Sequence, residues 1–266
     1  MRFLFVMLCC LMFAAPAFGF GKGVEGCSGD CTACHKLTKS EAADLFRNID
    51  PTLTVEDVSS APARGLYQIT LKKDKAVHLV YLDFSKNYLV NGPILDIKSK
   101  RNLTQQGVEA ATTIDVAGIP LDKAVVMGNP KGKRVLYLFS DPECPYCAKL
   151  HKTVTEMVKE DPQLKIYIIL VPLDIHPNSL WKTESIICTA KKNMAGALRM
   201  LENSYEGKEV QRLACEKVSG VEMKKVGAAR GINVTPTMAF ANGRVLMGAR
   251  SKDEIKRMID QASGKK

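Results

Sequence analysis

Apolar positions along the chain fall into two periods. Between Leu37 and Ile49, Ala42, Leu45, Phe46 and Ile49 recur at helical spacing, with Ser40 placed to cap the helix and Asp50-Pro51 to end it. Three short β-branched and aromatic runs follow at 65–73, 76–84 and 86–97. Asp74-Lys75, Ser85–Asn87 and Asn91-Gly92 separate or interrupt them as turn signals, which predicts a small antiparallel sheet. The stretch 102–119 is polar with weak helical periodicity and reads as a partly helical linker, and Gly128–Lys133 reads as a loop. The runs "RVLYLFS" (134–140) and "LKIYIILVPL" (164–173) are continuously apolar, the pattern of strands covered on both faces, and the segment between them has helical spacing. A helical stretch over 178–229 comes next. Then come two strands joined at Asn242-Gly243 as a tight hairpin, and a last helix from Ser251 to Ala262. The order is βαβ, helical insertion, ββα.

The start of the chain departs from these patterns. Met1-Arg2, the apolar run "FLFVMLCCLMFAA" and the small residues of Ala15-Pro16-Ala17 form a secretory signal peptide, over residues 1–19, with cleavage near 17–19. The expected location is therefore an oxidising exported compartment, where disulfides persist. Nine cysteines are present, and Cys9 and Cys10 leave with the leader. An odd number remains, so at least one is free or engaged outside an internal pair. A formal net charge of +10 is spread over pairs such as Lys72-Lys73 and Lys191-Lys192 rather than gathered among aromatics. That distribution, together with export, argues against nucleic-acid binding.

The chemistry concentrates in "FSDPECPYCAKLHK" (139–152). Cys144 sits where a strand ends and a helix begins, over backbone N–H groups that favour negative charge. A thiolate is the attacking species, so this place activates it. Cys147, one turn further in, can attack a mixed disulfide made by Cys144 and release the partner. A structural zinc site would need a second ligand pair, and Cys188 and Cys215 are too scattered to supply one. Cys188 and Cys215 both fall in the helical insertion and are expected to pair, the other reading being two buried free thiols. Thr235-Pro236, after a loop and before a strand, is a place where a cis peptide is plausible.

Together these segments resemble the DsbC/DsbG family of periplasmic disulfide isomerases. The resemblance lies in the active-site segment (its CPYC closer to DsbG), in "IICTAKKNMAGA…LACE", in "GINVTPTMAFANGRVLMGARS" and in residues 65–97. It covers about 37–264 and implies an α+β protein. A small cystatin-like dimerisation module (37–101) and a linker with a helix (102–127) would precede a thioredoxin-like catalytic domain (128–266). The resemblance further implies a V-shaped homodimer whose cleft receives misfolded exported proteins bearing disulfides. A membrane reductase of the DsbD type would keep the dithiol reduced. Cys144 would be nucleophile, Cys147 resolving thiol, and Thr235, a cis Pro236 and Tyr146 the substrate-contacting residues. Sulfenic-acid reduction and chaperone-like binding are the alternative activities.

One segment, 20–36, has no counterpart in that family. Cys31-Thr32-Ala33-Cys34-His35 matches the attachment pattern of c-type haem, with a sixth ligand open among His78, His151, His176 or a methionine. Three readings fit it: covalent haem, a local disulfide with one cysteine left over, and a metal site of Cys27, Cys31, Cys34 and His35. Elsewhere His151 is expected on the surface, His176 in a loop and Trp181 in the core.

Overall fold

The computed structural model describes residues 34–216 and 218–264. The predicted leader, Cys27 and Cys31 lie outside the described residues. The larger compact unit begins at Leu37.

Helix α1 (Lys39–Arg47) opens it. Its N-cap is Thr38 rather than Ser40: the Thr38 hydroxyl accepts from the Glu41 N–H at 3.2 Å, while the Glu41 carboxylate accepts from the Thr38 N–H at 2.8 Å. That reciprocal pair satisfies two orphan donors at once, which a cap at Ser40 could not do. Strands β1 (Thr54–Ser60), β2 (Leu66–Lys73), β3 (Ala76–Asp83) and β4 (Leu89–Val90) form one antiparallel sheet in that order. Strand β1 escapes sequence reading because only Val55 of its seven residues is buried and a register shift interrupts it between Val55 and Asp57. Charged, irregular edge strands of this kind resist pairing with foreign chains. Ala42 and Phe46 of α1 pack on Val55, Tyr67, Ile69, Leu71, Val80 and Leu82, a thin core of its own.

Short strands β5 (Leu95–Asp96) and β6 (Arg101–Asn102) then lead into α2 (Leu103–Ala111), so nine residues of the linker form a helix. This helix is fastened to the far end of the chain by Glu109, which is buried and accepts from the Met247 N–H at 2.8 Å and from Arg250.

The larger sheet has the order β11-β10-β8-β9-β7, comprising β7 (Val125–Gly128), β8 (Arg134–Ser140), β9 (Leu164–Leu170), β10 (Thr237–Phe240) and β11 (Val245–Met247). Strands β8 and β9 are parallel, from Arg134↔Leu164 to Ser140↔Leu170, and the crossover between them is helix α3 (Pro145–Glu160). Central position explains their unbroken apolar runs, since Leu136, Leu138, Phe139, Ile166, Ile168 and Ile169 are all at most 2% exposed. The edge strand β7 begins before the predicted loop. Gly128 ends it at φ +88°, and a Cβ there would meet the Leu164 carbonyl at 2.5 Å, so the chain must turn on glycine. Helices α4 (Ser179–Ala190), α5 (Met194–Tyr205) and α6 (Gly220–Ala228) make up the insertion, and α7 (Lys252–Ala262) closes the fold.

Candidate active site

Cys144 is the N-cap of α3 with Pro145 behind it at the first helical position, where a missing N–H costs nothing. Its carbonyl starts the helix by accepting from the Ala148 N–H at 3.0 Å, and its N–H donates to the Asp141 carbonyl at 3.1 Å. The turn therefore holds the Cys144 sulfur over the open end of a sixteen-residue helix. Both cysteines of the turn are reduced, and both are buried, at 4% exposure for Cys144 and 1% for Cys147.

Their protonation is pushed in opposite directions. The Cys144 thiol is lowered to about 6, first by a hydrogen bond from Cys147 and then, against the cost of burial, by the Cys147 and Tyr146 N–H groups and the Thr235 side chain. Burial pushes Cys147 far up, and the negative charge growing on Cys144 adds to it. One proton is thus shared by a pair that titrates as a unit: the outer sulfur is ionised and the inner one protonated at neutral pH. As a thiol, Cys144 donates to the Thr235 carbonyl at 3.4 Å. The Thr235 hydroxyl is buried without a hydrogen-bond partner. The peptide bond from Thr235 to Pro236 is cis, and the loop is braced by the Thr237 hydroxyl donating to the Val234 carbonyl at 2.8 Å.

The rim of this turn is apolar and open. Tyr146 is 65% exposed, Ile175 78% and Val234 44%. The loop carrying Ile175 is fixed to the turn by the Leu173 N–H, which donates to the buried Asp141 carboxyl at 2.8 Å, and by the Asn178 N–H, which donates to Glu143 at 2.8 Å. Asp141 and Glu143 are supports that sequence reading passed over. The only signal was a carboxyl placed directly after a largely apolar strand, which a fold tolerates only with partners at hand.

Two minor expectations are corrected, and of the three readings left open for the N-terminal cysteine segment the local disulfide is the one that fits. His151 is buried at 6% exposure because its face of α3 lies under the Tyr205 ring, 5.2 Å between centroids. Trp181 is only half-buried, held between Lys182 and Arg212 and donating to Asn178 at 3.1 Å. Cys34 and His35 are exposed, and Cys34 is disulfide-bonded, its partner lying outside the described residues. A sulfur in a disulfide is available neither for a thioether to haem nor as a metal thiolate, so Cys31, Cys34 and His35 do not fit covalent haem, nor Cys27 with them a metal site. Among the described residues no group of three His, Cys, Asp or Glu could hold a metal ion. In the insertion, the sulfurs of Cys188 and Cys215 are bonded, with Cα atoms 5.9 Å apart.

Residues 121–263 match the thioredoxin-like domain, and residues 37–105 match the N-terminal domain of disulfide bond isomerase proteins. The chain belongs to the thioredoxin-like family, with a DsbC-type N-terminal domain ahead of the catalytic one. Relatives include the probable thiol:disulfide interchange protein DsbC of Bordetella bronchiseptica, 27% identical over 82% of this chain and 71% of that protein. The Bordetella avium protein of the same description is 26% identical over 74% of this chain and 68% of its own length. The thiol:disulfide interchange protein DsbC of Escherichia coli K12 is 20% identical, covering 77% and 81%. The dithiol chemistry of such proteins resides in the two sulfurs and needs no cofactor.

Proposed function

We propose that this chain is a thiol:disulfide isomerase and reductase that attacks non-native disulfides of exported proteins. The observation that carries this reading is the placement of two reduced, buried sulfurs at a helix start, with Cys144 3.4 Å from the Thr235 carbonyl. Cys144, ionised near neutrality, attacks a substrate disulfide and forms a mixed disulfide, expelling the substrate's other thiolate. If that thiolate attacks a different bond in the substrate, the disulfide is rearranged and Cys144 leaves reduced. If Cys147 attacks first, the substrate leaves reduced and the pair is oxidised. Tyr146, Thr235 and Pro236 contact the substrate chain beside the sulfur.

The chain acts as a homodimer in the periplasm, after removal of its leader. Support for the dimer is the row of exposed apolar residues on and around the edge strand β4: Tyr88, Leu89, Val90, Leu95 and Ile97, the last 90% exposed. Among the described residues no helix is long and apolar enough to cross a membrane. A membrane thiol reductase of the DsbD type returns the pair to the dithiol, without which the chain would serve as an oxidant. Refolding of a scrambled multi-disulfide protein by the reduced chain tests the reading, with thiol trapping of Cys144 and Cys147 in cells. No acceleration of refolding, or a pair found mainly oxidised, overturns it. An absorption spectrum without a Soret band is the expected result for the Cys31-to-His35 segment.

A further inference from the structure

The hairpin that joins β2 to β3 meets the catalytic domain beside the active-site loop. Gly231, at φ +69°, packs so closely on it that a Cβ there would stand 2.3 Å from the Lys75 carbonyl oxygen, so only glycine fits the contact. Between hairpin and catalytic domain lies a cavity of about 440 Å³. One wall is the hairpin from Lys73 to Ala76, and α6 contributes Lys224 and Ala228. Val171, Pro172 and Ile232 line it and are buried, which gives an apolar floor. Ile175 and Asn233, which also line it, are exposed. Two lysines at its edge are matched by carboxylates, Lys73 Nζ at 2.8 Å from Asp50 and Lys224 Nζ at 2.5 Å from Asp174. Asp74 and Lys75, at the tip of the hairpin, carry opposite charges. The cavity therefore has little net charge with which to hold an ion, and its chemistry suits an uncharged, apolar group.

Two of its lining residues belong to the rim of the active-site turn. Ile175 sits on the loop pinned to Asp141, and Asn233 stands two residues before Thr235, whose carbonyl is 3.4 Å from the Cys144 sulfur. Two residues span at most about 7 Å, so the cavity opens beside the place where a substrate chain lies against the Thr235 loop. An extended chain there turns alternate side chains to the same side, so one close to the attacked cysteine reaches the cavity without the chain leaving the loop. Resting on the activity proposed above, we infer that this cavity receives one large apolar or aromatic side chain, two to four residues from the attacked cysteine of an extended substrate, with the N-terminal module supplying one wall. Unfolded segments expose such side chains and folded ones bury them, so the cavity favours disulfides in non-native chain. Both walls come from one chain, which makes the subsite complete in a single protomer.

Peptides with a single cysteine, activated as the mixed disulfide with thionitrobenzoate, test this on the reduced full chain. The Cys144 thiolate attacks the peptide sulfur, a Cys144–S–S–peptide bond forms, the bond to thionitrobenzoate breaks, and the coloured thiolate leaves with the electron pair. A peptide with phenylalanine two to four residues from its cysteine should release that thiolate at least about tenfold faster than its alanine counterpart, the effect of burying one large side chain in part. Ala228, exposed on α6, can be enlarged without touching the core. Ala228→Trp fills the cavity and should bring the phenylalanine peptide down to the alanine rate, with the alanine peptide itself changed by less than about twofold. Ala76→Trp fills it from the hairpin and should do the same. Equal rates for the two peptides on the wild-type chain overturn the inference, as does a preference that survives in both variants. If Ala228→Trp alters the oligomeric state in sedimentation while the wild type treats the peptides alike, a second copy of the chain occupies the cavity and the inference falls. Failure of even the alanine peptide to react rapidly with the wild type overturns the proposed activity instead.

Discussion

Two cysteine pairs occupy the same domain and do opposite things. Cys144 and Cys147 stand two residues apart at a strand-to-helix turn and remain reduced. Cys188 and Cys215, 27 positions apart, are bonded across the insertion, where Ser185 reinforces the junction by accepting from the Leu213 N–H at 2.9 Å. The difference does not lie in the residue type, and burial, complete for the first pair and partial for the second, is only part of it. The rest lies in what surrounds each sulfur. The first pair is surrounded by donors that reward charge on one sulfur and by enclosure that penalises it on the other. The second joins two chain segments held otherwise by a few contacts such as that of Ser185 with Leu213. Reactivity comes from asymmetry within a pair, and stability from the length of chain a pair closes.

The contrast is tested most severely by removing sulfurs from each pair in turn. Cys144→Ser should lower disulfide interchange by at least about a thousandfold, as loss of a nucleophile does, with little change in thermal unfolding. Refolding assays of a scrambled substrate beside a melting curve check both halves. Next in size, the double change Cys188→Ala with Cys215→Ala should lower stability by about 3.5 kcal/mol on the chain-entropy account of a loop this long. Denaturant titration reads that loss, and iodoacetamide labelling of Cys144 in the folded variant should keep its wild-type rate.

A third experiment addresses the asymmetry itself. Labelling of Cys144 should rise with pH through a midpoint near 6, against the 9 of an ordinary thiol, and level off above it. The same shift has a stability consequence with a definite sign. The folded state releases this proton more readily than the unfolded one, so the reduced chain gains stability as pH rises from about 6 to about 9 and loses it as pH falls back through 6. The oxidised chain has no such group. Melting curves of both redox forms at pH 5, 7 and 9 should therefore show reduced and oxidised chains diverging with pH. Parallel curves would contradict the split. The smallest expected effect belongs to Thr235→Val, which removes one donor without changing volume: about fivefold slower labelling at pH 6 and no change at pH 9.

Much of this was legible in the sequence for local reasons. Unbroken apolar runs marked β8 and β9, the heptad-like spacing of Leu150, Val154 and Met157 marked the helix between them, and Asn242-Gly243 marked the hairpin, where Gly243 adopts φ +79°. The placement of Cys144 at a helix start followed from the same patterns, because a capping position is set by its immediate neighbours. The elements overlooked, β1 and β7, are edge strands that bury one face or less, so periodicity had little to register. What tertiary structure alone decided is everything that meets across long separations. Thr235 comes to Cys144 over 91 positions, Leu173 to Asp141 over 32, and Tyr205 to Ser140 over 65. His151 was placed on the surface for want of any view of Tyr205 above it, and Trp181 in the core for want of any view of the open side it keeps. A side chain's neighbours along the chain dictate its conformation, but the charge a sulfur will bear depends on donors and enclosure that only folding brings to it.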